Sequence, residues 1–309
     1  MRVLITGVVG GLGRLLAGRL LADTHVESVT GLDARVCHPP VPGMAFVRAD
    51  LRQPEWTGLL READVVIHLA GMGWPLPWRR RDDGESARIE GTKALLRALG
   101  MTPVTRLIVV NSAALYGPQP PGPVSETAPV EGYRHGAYAR ARAQIEDILG
   151  ALLPSIPGMA VTRLRTAWIM GGHHQILIRH FAQGPVLACG LEDRQLAVVH
   201  EDDLVDAIAF ALRHGLNGIY NVAAAESLTF GQAAALVDQV RGCVPLAWVT
   251  LRAWWRWRWR GQRTPPGWVR SLYHSQPLAI AALNRADWAP QYGPREAAAA
   301  ALEAFEAGR

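Results

Sequence analysis

The chain has 309 residues, of which 49% are hydrophobic, enough for the core of one large domain or of two closely packed ones. Its formal net charge of +5 comes with 31 arginines and a single lysine, Lys93, a bias that we interpret as compositional drift and not as a nucleic-acid-binding surface. No uncharged apolar run is long enough to span a membrane, and no basic, apolar leader precedes the first strand. We therefore expect a cytoplasmic protein without a membrane span.

The three cysteines are Cys37, Cys189 and Cys243. They are odd in number and far apart, a pattern that favours reduced structural thiols over disulfides or a metal cluster. Acidic residues and histidines do not recur at ligand spacing either, so we predict no metal.

The first predicted elements are a strand at residues 2–5, a glycine-rich turn and a helix at about 12–21. The first glycine of the turn forms a tight bend, the second leaves room for a pyrophosphate, and the last lets the helix pack on the strand. The positive N-terminus of the helix then attracts the phosphates. The segment predicts a dinucleotide site, to which we assign Gly7, Gly10, Gly11, Leu12 and Gly13.

A second strand, at residues 28–32, ends in Asp33. A carboxylate at this point accepts hydrogen bonds from the adenosine ribose and repels a 2′-phosphate, which favours NAD over NADP. Arg35 follows two residues later and softens this preference. We predict NAD as the cofactor and assign Asp33 and Arg35 to its site.

Strand-like segments recur near residues 2–5, 28–32, 45–48, 64–69, 106–111 and 160–165, with helical patterns between most of them. This alternation predicts an α/β fold, a Rossmann-type doubly wound parallel sheet with ligands at the carboxyl ends of the strands. After about residue 166 the rhythm weakens, and only residues 218–222 return to the sheet. We predict a dinucleotide-binding domain over 1–165, joined again by about 195–222, and a smaller substrate domain over 166–194 and 223–309.

Two later strands end in candidate site residues. The strand at 64–69 is followed by small residues where the second ribose of the cofactor would cross the sheet, or it is simply a core strand; its assigned residues are Leu69, Ala70 and Gly71. Ser112 ends the next strand. Beyond a loop, Tyr138 and Arg142 lie four residues apart and so share one face of a helix.

These motifs are similar to those of the short-chain dehydrogenase/reductase superfamily, in the extended type that includes NAD-dependent sugar-nucleotide epimerases and dehydratases. The resemblance covers nearly the whole chain and rests on Thr6-Gly7-x-x-Gly10-x-x-Gly13, Asp33, Asp50-Leu51, His68-Leu69-Ala70, Ser112 with Tyr116-Gly117, Tyr138 with Arg142, residues 165–171, and residues 200–204. It implies that Asp50 and Leu51 flank the adenine. It also implies that Ser112 hydrogen-bonds the reacting oxygen and that Tyr138 exchanges a proton beside the nicotinamide.

The family has a lysine where this chain has Arg142. A tyrosine free in solution, with a pKa near 10, is rarely ionised at pH 7, and a fixed cation favours its ionised form. Two interpretations stay open: arginine has replaced lysine while keeping the charge, or the planar guanidinium changes the chemistry. In the second case the pair with Tyr138 resembles that of halohydrin dehalogenases, which open epoxides without a nicotinamide.

Other departures from the family bear on the substrate. The acid pair that sugar 4,6-dehydratases carry after the serine is missing after Ser112, which disfavours dehydration. Trp168 stands where similar epimerases have an asparagine, and Leu196 where a diphosphate-binding arginine often lies, so a nucleotide sugar and an apolar ketone both stay open. We interpret the adjacent His173 and His174 as a surface turn, although His173 could face the cleft. The candidate substrate residues are Ala113, Trp168, His173 and Trp254.

Residues 252–260 read Arg-Ala-Trp-Trp-Arg-Trp-Arg-Trp-Arg. We expect this segment to belong to the substrate domain, with some tryptophans in its core and others covering the cleft. A helix on a membrane surface and a nucleic-acid-binding segment are the alternatives.

The leading hypothesis is an NAD-dependent oxidoreductase or epimerase that transfers hydride at a secondary alcohol or ketone of a small molecule. Tyr138 is its acid/base, Ser112 orients the oxygen, and Arg142 supports the ionised tyrosine. The alternatives are a reductase of a non-sugar ketone, a divergent Tyr–Arg enzyme that does not turn over the cofactor, and a non-catalytic NAD sensor. By resemblance we expect a homodimer formed through the Tyr138 helix and the helix at roughly 85–99, and we expect no nucleic-acid partner.

Overall fold

The structure is a computed structural model and describes residues 1–70, 84–100, 102–183, 187–237, 242–260 and 266–308. Gly71, which we assigned to the cofactor, lies outside the described residues. Among the helices within these ranges, none combines the length and the apolar character that crossing a bilayer requires.

The strands, in chain order, are β1 (Arg2–Thr6), β2 (Ser28–Asp33), β3 (Ala45–Arg48), β4 (Val65–His68), β5 (Arg106–Ser112), β6 (Ala160–Thr166), β7 (Trp168–Met170), β8 (Leu187–Ala188), β9 (Gln195–Leu196), β10 (Val198–His200), β11 (Gly218–Val222), β12 (Leu228–Thr229) and β13 (Cys243–Val244). The α-helices are α1 (Gly11–Leu21), α2 (Gly84–Leu99), α3 (Ala137–Leu152), α4 (Ile176–Gln183), α5 (Glu201–His214), α6 (Phe230–Ala235), α7 (Leu246–Arg260), α8 (Pro266–Leu272), α9 (Ala281–Asn284) and α10 (Pro294–Ala307). Short 3-10 helices cover Pro54–Arg61, Ala113–Tyr116, Gly132–Arg134 and Leu153–Ser155.

Seven strands form one parallel sheet in the order β11-β6-β5-β4-β1-β2-β3. The chain runs outward from β1 to β3 and then resumes on the other side of β1 with β4, so the direction of winding reverses between β1 and β4. In doubly wound sheets ligands bind at such a point, outside the carboxyl ends of the strands. The predicted α/β fold is confirmed, and residues 218–222 do return to the sheet as its edge strand.

The central strands are apolar along their length because helices cover both faces of the sheet. All four residues of β4 are buried. On one face, α1 buries Leu12, Leu16 and Leu20, which recur at helical spacing, and packs beside α5. On the other face, α2 and α3 pack together over a second cluster that includes Leu95 and Leu149.

A third hydrophobic cluster belongs mainly to elements that follow β6. It joins α4, α8 and α10 to β7 and β10 through buried side chains that include Phe181, Trp268, Ala301, Met170 and Val198. This cluster supports a separate substrate-side region, whose boundaries stay a prediction.

One expectation from the sequence is wrong: Cys189 and Cys243 form a disulfide. The two residues are 54 apart in sequence, but β8 and β13 pair in parallel and bring their Cα atoms to 4.9 Å. Spacing along the chain cannot reveal this, because the pairing of two two-residue strands leaves almost no pattern. Cys37 is the free thiol of the three.

Candidate active site

The glycine-rich turn between β1 and α1 has close backbone contacts at both of its ends. Gly7 has a φ of +79°, and a Cβ there would lie 2.7 Å from the backbone nitrogen of Ala70. A Cβ at Gly13 would lie 2.6 Å from the backbone of Val8. These glycines are therefore required by the close approach of backbone to backbone.

Gly10 is different, because protein packing does not explain it. A Cβ at this position would have Gly7 O at 3.5 Å and Arg35 Nη2 at 3.9 Å as its nearest neighbours, which is ordinary contact. A Cβ would thus fit beside Gly10 without a clash, and α1 begins at the next residue, where the first N–H groups of a helix lack intrahelical partners and can bind an anion. This cradle fits the pyrophosphate of a dinucleotide.

Asp33 lies at the end of β2, with its side chain 7% exposed, and receives four hydrogen bonds. Oδ1 accepts from the backbone nitrogen and from Nε of Arg35, both at 3.0 Å. Oδ2 accepts from Arg35 Nη2 at 2.9 Å and from the backbone nitrogen of Val9 at 3.1 Å. The guanidinium of Arg35 therefore holds the two carboxylate oxygens that we predict for the ribose hydroxyls of NAD.

Asp50 and Leu51, the residues predicted near the adenine, follow β3. Like Asp33, Asp50 is bonded to an arginine two residues later. Asp50 is paired with Arg52, whose Nη2 donates to Oδ2 at 2.7 Å, and this hydrogen bond is the main cause of the lowered pKa of Asp50. Leu51 is buried, and its carbonyl accepts from Trp56 Nε1 at 3.1 Å. Leu69 is buried at the end of β4, beside the glycine turn.

A buried hydrogen-bond chain fixes the end of β4. The hydroxyl of Thr92 donates to the carbonyl of Arg88, so its oxygen is left to accept from Nε2 of His68, at 3.0 Å. Nδ1 of His68 then accepts from the hydroxyl of Thr6, at 2.7 Å. Desolvation lowers the pKa of His68 to about 4, so this side chain is a neutral structural link between β1, β4 and α2.

The predicted catalytic residues come from β5 and α3. Ser112 is the last residue of β5, and Tyr138 and Arg142 lie on the first turns of α3. The Arg142 guanidinium is buried and lies over the Tyr138 ring, with Cζ 4.7 Å from the ring centroid. The Tyr138 ring also stacks on Trp168, at 5.9 Å between centroids and 21° between planes. The structure thus brings together Tyr138, Arg142 and Trp168.

Asn111, which sequence reasoning missed, ties β5 to α3. Its Oδ1 accepts from the backbone nitrogen of Ser112 at 2.9 Å. Its Nδ2 donates to the carbonyl of Arg142 at 3.0 Å and to Oε1 of Glu146 at 3.2 Å. One amide side chain therefore sets the position of Ser112 relative to the helix that carries Tyr138.

Behind this amide lies a buried ion pair. Nη2 of Arg165 donates to Oε2 of Glu146 at 2.9 Å, and Nη1 donates to the hydroxyl of Tyr116 at 3.0 Å. That hydroxyl in turn donates to Oδ1 of Asn221, at 2.7 Å. The network links β5, β6, β11 and α3 behind the site, and the spacing of these residues in the sequence gives no sign of it.

A cavity opens at the carboxyl end of β5, and its walls include Ser112, Ala113 and Trp168. His135 and His274 also line it, with ring centroids 5.2 Å apart. The pKa of His274 is lowered to about 4, first by desolvation and then by the nearby charges of Arg194, His135 and Arg270. Sequence reasoning missed these four basic residues, since they lie in segments that carry no motif.

His173 and His174 form more than a surface turn, contrary to our interpretation. Their Nδ1 atoms lie 3.0 and 2.7 Å from the two carboxylate oxygens of Glu201. A Cβ at Gly11 would lie 2.7 Å from the Cβ of His173, so this cluster abuts the glycine turn. Within the described ranges there is no group of three His, Cys, Asp or Glu side chains that could hold a metal.

Of the four candidate substrate residues, Ala113 and Trp168 line the cavity, whereas His173 and Trp254 do not, and Trp254 is exposed on α7. Tyr138 is not among the lining residues either, although its ring stacks on Trp168.

Comparison with known proteins gives the family. The model of the NAD dependent epimerase/dehydratase family matches residues 3–223. An uncharacterized protein of Mycobacterium tuberculosis is 29% identical over 257 residues, which cover 79% of this chain and 67% of that protein. A UDP-glucose 4-epimerase of Mycolicibacterium smegmatis is 34% identical over 145 residues, 42% of this chain and 45% of that protein.

The fold comparison agrees. The crystal structure of a Thermus thermophilus UDP-glucose 4-epimerase in complex with NAD has a TM-score of 0.75 and 24% sequence identity, covering 100% of both chains. Because the family match runs from β1 through β11 and takes in the whole parallel sheet, this chain belongs to the NAD dependent epimerase/dehydratase family, enzymes of the extended short-chain dehydrogenase/reductase type.

Proposed function

We propose that this protein is an NAD-dependent epimerase that oxidises and then reduces a secondary alcohol carbon, with Tyr138 as the acid/base. The observation that carries the proposal is the contact between the Arg142 guanidinium and the Tyr138 ring, 4.7 Å from Cζ to centroid, on a helix tied through Asn111 to Ser112. The guanidinium thus lies against the face of the ring, in the position of a cation–π contact.

In the proposed reaction Tyr138 takes the hydroxyl proton of the substrate and later returns it to the carbonyl oxygen of the oxidised form. Ser112 donates a hydrogen bond to the same oxygen and holds it beside Tyr138. NAD, held by the glycine turn and Asp33, supplies a hydride acceptor. Arg142 stays charged throughout, because a guanidinium does not lose its proton near neutral pH.

We propose a nucleoside diphosphate sugar as the substrate class. The support is a pair of arginines near the cavity: His274 lines it, and the charges of Arg194 and Arg270 are close enough to contribute, after desolvation, to the lowered pKa of His274. A diphosphate would offset this concentration of positive charge. The name of the 34% identical relative, a UDP-glucose 4-epimerase, agrees with this class.

A second candidate function is the reduction of a flat or apolar ketone. It is favoured by the cavity walls, where Trp168, Ala113, Ala139 and Leu278 present apolar surface. The two candidates differ in cofactor use, since a reductase consumes NADH stoichiometrically whereas an epimerase regenerates its NAD.

The test is to incubate the purified protein with UDP-glucose, UDP-galactose and UDP-glucuronate, and to follow epimer formation by chromatography and NADH by absorbance. Interconversion without net change in NADH is the expected result.

Tyr138→Phe should lower turnover about 100-fold or more, since general acid–base catalysis contributes a factor of about 10²–10⁴ to the rate. Tyr133→Phe, five residues earlier and with its hydroxyl bonded to Asp147, is the matched control and should keep turnover. Full turnover by Tyr138→Phe would refute the assignment.

The proposal includes a homodimer formed through α2 and α3. These helices pack against each other on one face of the sheet. Sedimentation velocity at several protein concentrations tests the assembly.

A further inference from the structure

Helix α7 presents a row of large apolar side chains to solvent. Trp248, Leu251, Trp255 and Trp259 are 63%, 52%, 46% and 64% exposed. They recur at intervals of three and four residues, so they form one stripe along the helix. We call these four residues the α7 stripe. Single exposed apolar residues need no explanation, but a continuous row of them marks an interaction surface.

The opposite face of α7 is already in use. Val249 is buried in the cluster after β6, and Leu246 and Ala253 pack against that cluster, three and four residues away from it along the helix. The helix rests on α8 and β8. The helix therefore buries one apolar face and keeps a second one, the α7 stripe, exposed to solvent.

Arginines flank the stripe on both sides. Arg252 lies four residues after Trp248 and three before Trp255, while Arg258 lies three after Trp255 and has its Cζ 4.8 Å from the ring centroid of Trp259. From residue 239 to residue 286 the sequence holds eight arginines and no aspartate or glutamate. A segment with this composition attracts anions and offers no carboxylate to a basic partner.

We propose that the α7 stripe docks on the surface of an anionic lipid membrane. Tryptophan prefers the boundary between headgroups and acyl chains, where its ring is buried and its N–H stays hydrated. Arginine stems reach from such a helix to the phosphate layer. Helices that lie in this boundary have an apolar stripe of tryptophan and leucine beside arginine or lysine, which is the arrangement on α7.

Two other occupants fit the surface less well. In a symmetric contact with a second copy, the stripe would face itself and set arginines against arginines with no acid to neutralise them. A nucleic acid would use tryptophan rings for stacking, but it would leave Leu251, in the middle of the stripe, in contact with phosphates or water. In a membrane interface, all four side chains of the α7 stripe would be buried.

The docking surface is separate from the candidate active site. Helix α8 lies between them: Ser271 of α8 lines the cavity, and α7 packs on α8 from outside. Changes on the stripe should therefore leave cofactor binding unaltered, so failure of the membrane proposal and failure of the proposed enzyme function can be told apart.

The test uses the full-length protein and sedimentation with vesicles of phosphatidylglycerol alone or of phosphatidylcholine alone. We expect binding to phosphatidylglycerol vesicles that weakens as salt is raised, and little binding to phosphatidylcholine. The double variant Trp248→Gln/Trp259→Gln should bind at least about tenfold more weakly, a loss well within what two buried tryptophans contribute. Arg252→Gln should weaken binding only to the anionic vesicles.

Val36→Gln is the control, because Val36 is 60% exposed and lies outside α7, near the end of β2. It should bind vesicles like the unmodified protein. Equal vesicle binding by the tryptophan variant, or no binding by the unmodified protein, would overturn the proposal. So would binding to a single-stranded oligonucleotide in place of vesicles, or a self-association that the tryptophan variant abolishes.

Discussion

The guanidinium of Arg142 lies over the ring of Tyr138, with its Cζ 4.7 Å from the ring centroid. Both residues are on the first turns of α3, four positions apart, and the carbonyl of Arg142 is held by Asn111 at the end of β5. Asn111 therefore fixes the backbone of Arg142, and burial restricts its guanidinium. The contributions of the charge and of the planar shape of the Arg142 side chain can be tested separately.

Arg142→Met removes the charge while keeping a long side chain in a buried position, so we expect kcat to fall about 100-fold. Arg142→Lys keeps the charge and should lose less than about tenfold, if charge is what matters. The measurement is turnover of the substrate found in the epimer screen, with bound NAD quantified in each variant. A Met variant with unimpaired kcat, or a Lys variant as poor as the Met variant, would contradict a purely electrostatic role.

The sheet and the glycine turn could be predicted because their signals are local. Residues 65–67 are apolar at every position because both faces of their strand are covered, and the glycines around Gly10 fall at intervals that the turn itself requires. The site residues Ser112 and Tyr138 could be assigned through the family resemblance.

What could not be predicted depends on contacts between distant segments. Glu201 receives both His173 and His174 although 27 residues separate them, and Cys189 meets Cys243 through two very short strands. Neither contact has a periodicity or a spacing that a sequence reveals. Similarly, Trp254 lies in a segment rich in tryptophan and arginine, a composition that suggested substrate binding. The direction of its side chain, however, depends on which face α7 buries.

Two glycines of helix α1 should respond to alanine in opposite ways. A Cβ at Gly13 would lie 2.6 Å from the backbone of Val8, whereas a Cβ at Gly18 would have nothing within 4 Å. Gly13→Ala should lower the free energy of unfolding by about 1–3 kcal/mol because the helix must move away from the backbone of Val8. Gly18→Ala should raise it by about 0.5–1 kcal/mol because alanine restricts the unfolded chain. Urea denaturation of both variants checks this, and a change of the same sign in both would contradict the described packing.

Buried His68 should make the protein less stable in mild acid. Its pKa is lowered from 6.5 to about 4 by desolvation, so between these values the unfolded chain binds a proton that the folded chain does not. The stabilisation is complete above pH 6.5 and is lost as the pH falls toward 4. At pH 5 this residue alone should cost about 2 kcal/mol relative to pH 7.

His68→Gln should therefore lose about 2 kcal/mol less than the unmodified protein between pH 7 and pH 5, as measured by urea denaturation at both values. Part of the loss should persist in the variant, since burial lowers the pKa of His180 to about 4 as well. If the two proteins lost stability in parallel, His68 would have to be protonated in the folded state.

Arg35 should control the choice between NAD and NADP. Its guanidinium occupies both carboxylate oxygens of Asp33, yet its own side chain is 52% exposed, and such pairs contribute little to stability. When it swings away from Asp33, it leaves the carboxylate to the ribose of NAD and can itself meet the 2′-phosphate of NADP. Arg35→Ala should therefore bind NAD as well as or better than the unmodified protein. It should bind NADP at least about tenfold more weakly, which corresponds to about 1.4 kcal/mol of binding free energy.

The matched control is Arg52→Ala, which opens the corresponding pair with Asp50 and should change the affinities for both cofactors by the same factor. Calorimetric titration of each variant with each dinucleotide distinguishes these outcomes, and equal weakening of both cofactors in Arg35→Ala would mean that the arginine holds the loop in shape instead of selecting the cofactor.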